Sequence, residues 1–494
     1  MHELFEKAKS IAMPARLLRA TEALLAWDQD THMPKGAIEA RSHQKEYIAG
    51  LIHKEKTSTK FRDALAEMID LNTGDILIPE LSDEEKSAVN EWRRDYLLAT
   101  KLPTAFVEKH TKTCSQATHA WEIARDNDNF KNFEKHLTLI VDLAKERAEY
   151  LGYTDHPYDA LLDEYEPGGA AQIDALFTDL KPFLIDLTKS AARTTIPLPD
   201  GPYPIDAQTT FVTNLMQDIG LNPHHTRLDI SAHPFCMDMH PSDVRLTTHA
   251  YEETPIPNIS AVMHEGGHCL YELGLPPEHY GTPLCDSVSL GIHESQSRFY
   301  EVILGQSLPF WTHTYPKLQK CFSQLQSYPL QDFYAHLNKV EPTFIRVHSD
   351  EVTYTLHIIL RYELEKDLLT GTLSPKDVPD AWNAKMEDYL GITPPSPAKG
   401  CLQDVHWACG AIGYFPTYAL GNLYSAQIFQ SLQRAHPDYK ERIASGDLRF
   451  IRTYLLENIH RHGRRYTASE LIENLSGAPF SSTPYRTYLT EKYG

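Results

Sequence analysis

The chain has 494 residues, of which 41% are hydrophobic and 23% charged, a mixture typical of folded globular proteins and unlike disordered or fibrous ones. Its 47 Lys and Arg against 67 Asp and Glu give a formal charge of −20. This charge argues against nucleic acid or an anionic membrane as a partner, because the field of the whole molecule would repel phosphates.

The cysteines and the N-terminal residues indicate a cytoplasmic protein. The seven cysteines are an odd number without a CxxC pair, which fits reduced thiols better than a disulfide framework. The first residues lack the basic and apolar segments of a secretory signal. No apolar run reaches the roughly 18 residues that a membrane span needs. We therefore expect a soluble cytoplasmic protein that does not bind a membrane.

Residues 1 to about 190 are predicted to be helical. Apolar residues recur there at three- and four-residue spacings, for example over 133–148. Breaks rich in Gly, Pro, Asn and Asp separate the helices. The predicted breaks are Met33–Gly36, Asn72–Asp75 and Glu166–Gly169.

A small β element is predicted near the middle of the chain. A Pro-rich stretch at about 195–206 is interpreted as a linker or exposed excursion, with a short hairpin as one form it could take. Strands are predicted at 227–230 and 243–248, and the helical pattern resumes from about 258 to 494. The expected fold class is therefore mainly α, and length alone would suggest roughly three domains.

Residues 264–268 read His-Glu-Gly-Gly-His, an HExxH motif. On a helix, His264 and His268 lie four residues apart on one face, where both can bind one metal ion. Glu265 points beside that metal, where it can accept a proton from water. A buried helix whose histidines are satisfied by hydrogen bonds is the competing interpretation.

The surroundings of the motif favour a helix. Asn258 is a predicted N-cap before an apolar face, and Gly274 followed by two prolines is a predicted stop. Gly266 and Gly267 each cost a helix interior about 1 kcal/mol relative to Ala. We expect the close approach of another backbone, such as a peptide substrate or a neighbouring strand, to compensate.

A catalytic zinc needs three protein ligands and one open position. Glu294, on a second predicted helix that ends at Gly305, is the candidate for the third ligand. His293 is a rival, although an outer position beside the metal suits it better. Without the HExxH motif, Glu294 would be taken for an ordinary solvated glutamate.

Two further segments could line a site. The stretch 344–361, treated as helical, carries a polar stripe that includes Arg346 and Arg361 and forms either a solvated face or a cleft wall. Arg346 could there bind a carboxylate through its planar fork. The stretch 400–421 mixes Gly, aromatic, His and amide groups and is either a tightly packed structural turn or a site loop. As a site loop it could supply donors to an oxyanion from His406, Tyr414 or Tyr418.

Taken together, these motifs resemble the carboxypeptidase Taq family of zinc metallocarboxypeptidases over nearly the whole chain. The segments that carry the resemblance are His233–Phe235, Asp243–Thr247, His264–His268, His293–Gln296, Ile345–Asp350 and Gly400–Trp407. Six ordered motifs make the match far more specific than HExxH alone.

The resemblance implies a nearly all-α, two-lobed shell around a long deep groove, formed by a single domain over 1–494. The N-terminal lobe would cover about 1–190, and the zinc-site lobe about 258–494. The implied activity is release of single amino acids from peptide C-termini with broad specificity, by a homodimer that acts on peptides.

The resemblance also implies residue roles. His264, His268 and Glu294 would bind one Zn²⁺ per chain, for which Co²⁺ or Mn²⁺ could substitute at such ligands. Glu265 would be the general base. The remaining roles concern the substrate: Arg346, with Arg245 and His233, would capture its α-carboxylate, and His406 and Tyr418 would stabilise the transition state.

Two other functions stay open at this point. Helical clefts with HExxH also serve zinc oligopeptidases and dipeptidyl carboxypeptidases, which release internal fragments or dipeptides. A non-enzymatic helical scaffold with an inert metal site is the third possibility. The sequence does not identify the physiological peptide.

Overall fold

A computed structural model describes residues 2–191 and 195–494, and this part of the chain is mainly helical with one three-stranded sheet, as predicted. The helices before the sheet are α1 (Glu3–Thr31), α2 (Ile38–Lys56), α3 (Thr59–Ala66), α4 (Asp83–Lys101), α5 (Thr104–Asp126), α6 (Lys131–Leu151), α7 (Pro157–Leu162), α8 (Ala170–Ala191) and α9 (Ile205–Ile219). Those after it are α10 (Ile256–Gly274), α11 (Leu290–Arg298), α12 (Leu308–Cys321), α13 (Leu330–Leu337), α14 (Glu351–Thr370), α15 (Val378–Leu390), α16 (Pro416–Ala435), α17 (Tyr439–Ser445), α18 (Arg449–Asn458), α19 (Ala468–Ser476) and α20 (Thr483–Tyr493).

Local sequence accounts for many helix boundaries. α6 buries an apolar face that includes Phe133 and Leu137 and ends before Gly152, whose φ of 81° suits a residue without a Cβ. α4 begins with a capping box in which Ser82 and Glu85 satisfy each other's backbone N–H groups. The three predicted breaks all fall between helices.

The Pro-rich stretch is neither helix nor hairpin. It has no regular secondary structure from 195 to 204 and leads directly into α9. The side chain of Tyr203 is fully buried, and its hydroxyl donates to the Pro199 carbonyl at 2.7 Å. Its backbone N–H donates to the Glu252 carbonyl at 2.7 Å. The stretch is therefore fastened to the body at Tyr203 rather than fully exposed.

The sheet contains the two predicted strands and a third. β1 (Thr226–Ile230) pairs parallel with β3 (Asp243–Thr248), and β2 (Cys236–His240) pairs antiparallel with the other side of β3. β2 escapes prediction because its sequence, Cys-Met-Asp-Met-His, shows no clear apolar alternation. β3 packs against α10, which brings the sheet next to the HExxH motif.

The apolar core falls into two clusters. One contains residues of α1, α3 and α4 together with Leu284, and the other extends from α5 to the C-terminus. The predicted division into two lobes near residue 190 stays a prediction. Among the described residues, no helix is both long enough and apolar enough to cross a membrane.

Candidate active site

The HExxH motif lies in the middle of α10, as predicted, and the helix ends at Gly274. The predicted N-cap is wrong, because α10 already begins at Ile256 and Asn258 lies in its first turn. Asn258 is buried and accepts a hydrogen bond from the Thr248 hydroxyl at 2.7 Å, while its amide donates to Gln208 at 3.2 Å. Asn258 therefore ties α10 to β3 and α9.

His264, His268 and Glu294 converge on one point. The Nε2 atoms of His264 and His268 lie 3.7 and 3.5 Å from Oε2 of Glu294. One ligand atom from each residue lies within 4.8 Å of the others. Two imidazoles and a carboxylate are the donor set that divalent zinc accepts in hydrolases, so the geometry fits a metal site.

Outer hydrogen bonds orient both imidazoles toward that point. Nδ1 of His264 lies 2.8 Å from the Glu301 carboxylate, and Nδ1 of His268 lies 3.0 Å from the His293 carbonyl oxygen. Occupied Nδ1 atoms leave Nε2 free to bind a metal, the usual arrangement at metal-binding histidines. The sequence did not single out Glu301, although it follows Glu294 by seven residues, two helical turns along the same side.

The segment after α11 explains how Glu301 reaches the site. Residues Phe299–Leu304 form a π-helical turn that ends at Gly305, so the predicted helix exists with a change of pitch. Arg298 donates to the Glu301 carboxylate at 2.6 Å, and the Ser260 hydroxyl donates to it at 2.9 Å. These contacts hold Glu301 against His264.

Two glycines let the helix of Glu294 pack closely on both sides. A Cβ at Gly267 would lie 2.4 Å from the Gln296 carbonyl oxygen, and one at Gly421 would lie 2.4 Å from Cγ of Glu294. Gly267 thus permits the close approach of a neighbouring backbone, but that neighbour is helix α11, not the substrate or strand we expected. Gly266 meets only side chains, Ile219 and Leu221.

Glu265 and His293, the two remaining candidate residues at the motif, also lie close to the proposed ligands. Glu265 is 7% exposed, and burial raises its pKa to about 7. His293 stacks on His268 with 4.3 Å between ring centroids and has its Nε2 2.9 Å from the Glu272 carboxylate. His293 therefore contributes its carbonyl to the orientation of His268, while its ring pairs with Glu272.

Arg346 lies in a compact cluster with Asp404. Its Nε and Nη2 donate to Oδ1 of Asp404 at 3.2 and 2.9 Å, and its Nη1 donates to the Tyr354 hydroxyl at 3.0 Å. The other Asp404 oxygen accepts from Arg361 at 2.7 Å. The two guanidinium groups hold the pKa of Asp404 far below its usual range despite burial. Three of the five N–H groups of Arg346 are used, which leaves two for a ligand.

The polar stripe over 344–361 is buried, so its interpretation as a solvent-exposed helix face is wrong. Arg361 and His357 are fully buried. The helix itself starts only at Glu351, because the Asp350 carboxylate caps it by accepting from the N–H groups of Val352 and Thr353. Arg346 accordingly lies in a short turn before α14.

His406 and Tyr418 are neighbours beside Arg346. Nε2 of His406 lies 3.2 Å from the Tyr418 hydroxyl, and the Arg346 guanidinium lies 4.8 Å from the Tyr418 ring centroid. Burial lowers the pKa of His406 to about 4, so its imidazole is neutral near pH 7. Tyr414, the third predicted donor, packs 5.3 Å from Tyr418 between ring centroids.

Arg245 and His233 belong to the sheet region. Arg245, on β3, pairs bidentately with Asp243 at 2.9 Å and lies 5.9 Å from the Trp27 ring centroid. His233 is exposed in the turn before β2. Neither residue forms a hydrogen bond or ion pair with Arg346 in 2–191 and 195–494, so their shared role toward a carboxylate stays a prediction.

Two buried carboxyl groups accept hydrogen bonds from segments that carry proposed site residues, and neither role was predicted from the sequence. Glu166 accepts from the Gly291 N–H at 2.9 Å, at the start of α11. Glu365 accepts from the Trp407 indole at 2.9 Å and from the Gly413 N–H at 3.1 Å, in the loop that carries His406. A single acidic residue in a helix or turn gives no sign in the sequence of such distant partners.

Known proteins match this chain along its length. The family model described as carboxypeptidase Taq (M32) metallopeptidase matches residues 7–493. Thermostable carboxypeptidase 1 of Thermus thermophilus is 40% identical over 490 residues, covering 96% of this chain and 95% of the relative. Carboxypeptidase 1 of Bacillus subtilis is 37% identical over 480 residues, covering 95% and 94%.

Solved structures show the same fold. The structure titled Pyrococcus furiosus carboxypeptidase Apo-Mg has a TM-score of 0.95 at 35% identity and covers 100% of this chain and 99% of its own. Trypanosoma cruzi metallocarboxypeptidase 1 has a TM-score of 0.95 at 31% identity and covers 99% of both chains. The chain therefore belongs to the carboxypeptidase Taq (M32) family and is a metal-dependent carboxypeptidase.

Proposed function

We propose that this carboxypeptidase is a zinc enzyme that removes amino acids one at a time from peptide C-termini, with broad side-chain preference. The observation that carries the proposal is the position of Arg346. The guanidinium groups of Arg346 and of Arg298, which follows Glu294 on α11, lie 5.8 and 5.0 Å from the centroid of one ring, Tyr354. The arginine that we propose to bind the carboxylate thus lies one aromatic side chain away from the helix of the proposed ligand Glu294.

The proposed metal ligands are His264, His268 and Glu294. Zn²⁺ is the ion we propose, one per chain, with Co²⁺ and Mn²⁺ as ions that the same donor atoms can bind. A metal bound there supplies Lewis acidity toward the substrate carbonyl and water.

Glu265 is proposed to move the proton. Its carboxylate accepts a proton from the attacking water and then delivers it to the leaving amine. Burial raises the pKa of Glu265, which makes its carboxylate a better proton acceptor than that of an exposed glutamate.

His406 and Tyr418 are proposed to stabilise the charge that develops on the carbonyl oxygen. Their mutual hydrogen bond of 3.2 Å fixes the Tyr418 hydroxyl next to a neutral imidazole. A fixed donor in a water-poor site stabilises an oxyanion strongly, because it needs no reorganisation during the reaction.

Arg346 is proposed to bind the substrate α-carboxylate with its two free N–H groups. Asp404 and Tyr354 hold the guanidinium rigidly, so its distance from the metal ligands is fixed. A fixed distance selects the bond one residue from the carboxylate. Arg245 and His233 are proposed to assist at the sheet side, the former with part of its charge already neutralised by Asp243.

The alternative, a zinc oligopeptidase or dipeptidyl carboxypeptidase, is not favoured by the relatives, which are named carboxypeptidases.

We further propose a cytoplasmic homodimer with a two-lobed shell around a groove. All seven cysteines are free, which suits a reducing compartment. Sedimentation velocity on the intact protein tests the dimer.

Products from an N-terminally blocked peptide test the proposal. The protein is freed of metal with a chelator and reloaded with Zn²⁺, Co²⁺ or Mn²⁺, and products are followed by mass spectrometry. We expect a ladder of single-residue losses, with the same peptide as a C-terminal amide cleaved far more slowly. Release of dipeptides or internal fragments would overturn the proposal.

Two variants separate the roles. Glu265→Gln should lower kcat by at least about a thousandfold while metal analysis still finds one ion per chain.

Arg346→Lys should raise KM and reduce the difference in cleavage rate between the acid and amide peptides, because an ammonium group lacks the planar fork of a guanidinium. Unchanged discrimination in Arg346→Lys, with an unchanged melting temperature, would remove Arg346 from carboxylate binding.

A further inference from the structure

A cavity separate from the proposed active site lies between α1, α2, α3 and α4 on one side and residues 281–286 and Arg464 on the other. It has a volume of about 330 Å³, enough for a small organic molecule. None of the residues proposed for metal binding, catalysis or carboxylate capture lines it.

Four cations face this cavity, and two of them are already neutralised. Arg16 donates to Asp286 at 3.1 Å, and Arg464 pairs bidentately with Asp95 at 2.9 and 3.0 Å. Asp238 also lies 3.5 Å from Arg16, and Glu91 also pairs with Arg464, so these two arginines are fully neutralised, although Nε of Arg16 is buried and has no hydrogen-bond partner.

The other two cations, Arg19 and Lys56, form no hydrogen bond or ion pair through their side chains within 2–191 and 195–494. Glu55 is the one carboxylate of the lining that is not paired with Arg16 or Arg464, so the lining offers two unpaired cations against one unpaired carboxylate.

One wall of the cavity is aromatic. Phe61 packs edge-on against Trp92 with 6.0 Å between ring centroids, and Tyr96 lies 6.4 Å from Phe61. Such a wall binds the apolar body of a flat molecule, while the unpaired cations bind an anionic group on it.

We propose that this cavity is a binding site for a small organic anion with a flat apolar body, held by Arg19 and Lys56 at its charged end and by Phe61, Trp92 and Tyr96 along its body. A bound anion would add a contact between the N-terminal helices and the segment after α10. It would therefore raise the melting temperature in proportion to the logarithm of its concentration.

Titration of the metal-loaded protein with anilinonaphthalene sulfonate, an aromatic anion, tests the site by fluorescence and by calorimetry. We expect one dye per chain. Arg19→Gln and Lys56→Gln should each weaken binding about tenfold, as for the loss of one charged hydrogen bond. Glu55→Gln should strengthen binding, because it removes the competing carboxylate.

Two controls separate a built site from general attraction. Lys54→Gln removes the same charge from a position on α2 that is exposed like Lys56 but does not line the cavity, and it should leave the affinity unchanged. Phenylnaphthylamine, the uncharged relative of the dye, should bind all variants alike. Equal affinity of the dye for wild type, Arg19→Gln and Lys56→Gln, equal weakening by Lys54→Gln, or the absence of saturable binding would each overturn the proposal.

Discussion

The two histidines of the HExxH motif are oriented by different kinds of partner. The His268 imidazole is held by the backbone carbonyl of His293, which a side-chain substitution does not remove. The His264 imidazole is held by the Glu301 carboxylate, which Arg298 and Ser260 fix in turn. The orientation of His264 is therefore open to a mutational test.

We expect Glu301→Gln to weaken metal binding by about 10- to 100-fold, the usual effect of removing an outer partner of a metal-binding histidine. Competition with a chromogenic chelator measures the affinity. Glu253→Gln is the matched control, because Glu253 is exposed and lies just before α10, the helix that carries His264. An unchanged affinity for the metal in Glu301→Gln would show that Glu301 does not orient His264.

Helix α11 is held between α10 and α16 at two glycines, and this packing is what places Glu294. An added methyl group in such a contact forces backbone shifts that typically cost 1–3 kcal/mol. We expect Gly267→Ala and Gly421→Ala to lower stability by about this amount and to reduce metal occupancy, measured by melting temperature and metal analysis.

Gly50→Ala is the control for these two variants. Gly50 lies inside helix α2, and a Cβ there would meet nothing within 4 Å. Alanine should stabilise this exposed helix position by up to about 1 kcal/mol. If Gly267→Ala behaves like Gly50→Ala, the close approach of α10 and α11 does not determine the position of Glu294.

The loop that carries His406 is fastened to α14 through Glu365. Burial raises the pKa of Glu365 to about 7, despite donors from Tyr158, Trp407 and Gly413. The folded chain therefore holds its proton more tightly than the unfolded chain. The contribution of Glu365 to stability is full below about pH 4.5 and is lost as the pH rises through about 7.

We expect wild-type stability to fall from pH 5 to pH 7 by up to about 1.4 kcal/mol per pH unit from this group alone, and Glu365→Gln to remove that part of the slope. Urea unfolding at several pH values measures it. Glu363→Gln is the control on the same helix. Nearby Lys181 and Lys385 outweigh burial and lower the pKa of Glu363. Substitution of Glu363 should therefore change the free energy of unfolding by a similar amount at every pH from about 5 to 7, without changing its slope against pH.

Elements whose signal is local were predictable from the sequence. The HExxH helix, the helix of Glu294 and the strands around 228 and 245 all follow from spacing within about twenty residues. The π-helical turn and the burial of Arg361 could not be predicted from the sequence. The partner of Arg361 is Asp404, 43 residues away, and a buried ion-paired stripe has the same polar pattern as a solvated one.

The molecule as a whole is organised around α10. This helix packs against β2, β3, α9 and α11, and the proposed metal ligands on α10 and α11 lie where these elements meet. The N-terminal apolar cluster is separate from the main core, and the pairs Arg16–Asp286 and Arg464–Asp95 connect its helices to the segments after α10. The two-lobed form implied by the family resemblance could not be derived from composition or charge, because both are averages over the chain.

Since the proposed metal ligands join two central helices, metal binding should stabilise the whole fold. At a free metal concentration about 1,000 times the Kd, binding to the folded state alone adds about 4 kcal/mol. With about 2.1 cal/mol/K of unfolding entropy per residue, 494 residues give roughly 1 kcal/mol per degree, so the melting temperature should rise by about 4 °C. Calorimetry of chelator-treated and Zn²⁺-loaded protein measures this rise. Glu294→Gln should lose most of it, and an equal rise in that variant would place the stabilising ion elsewhere.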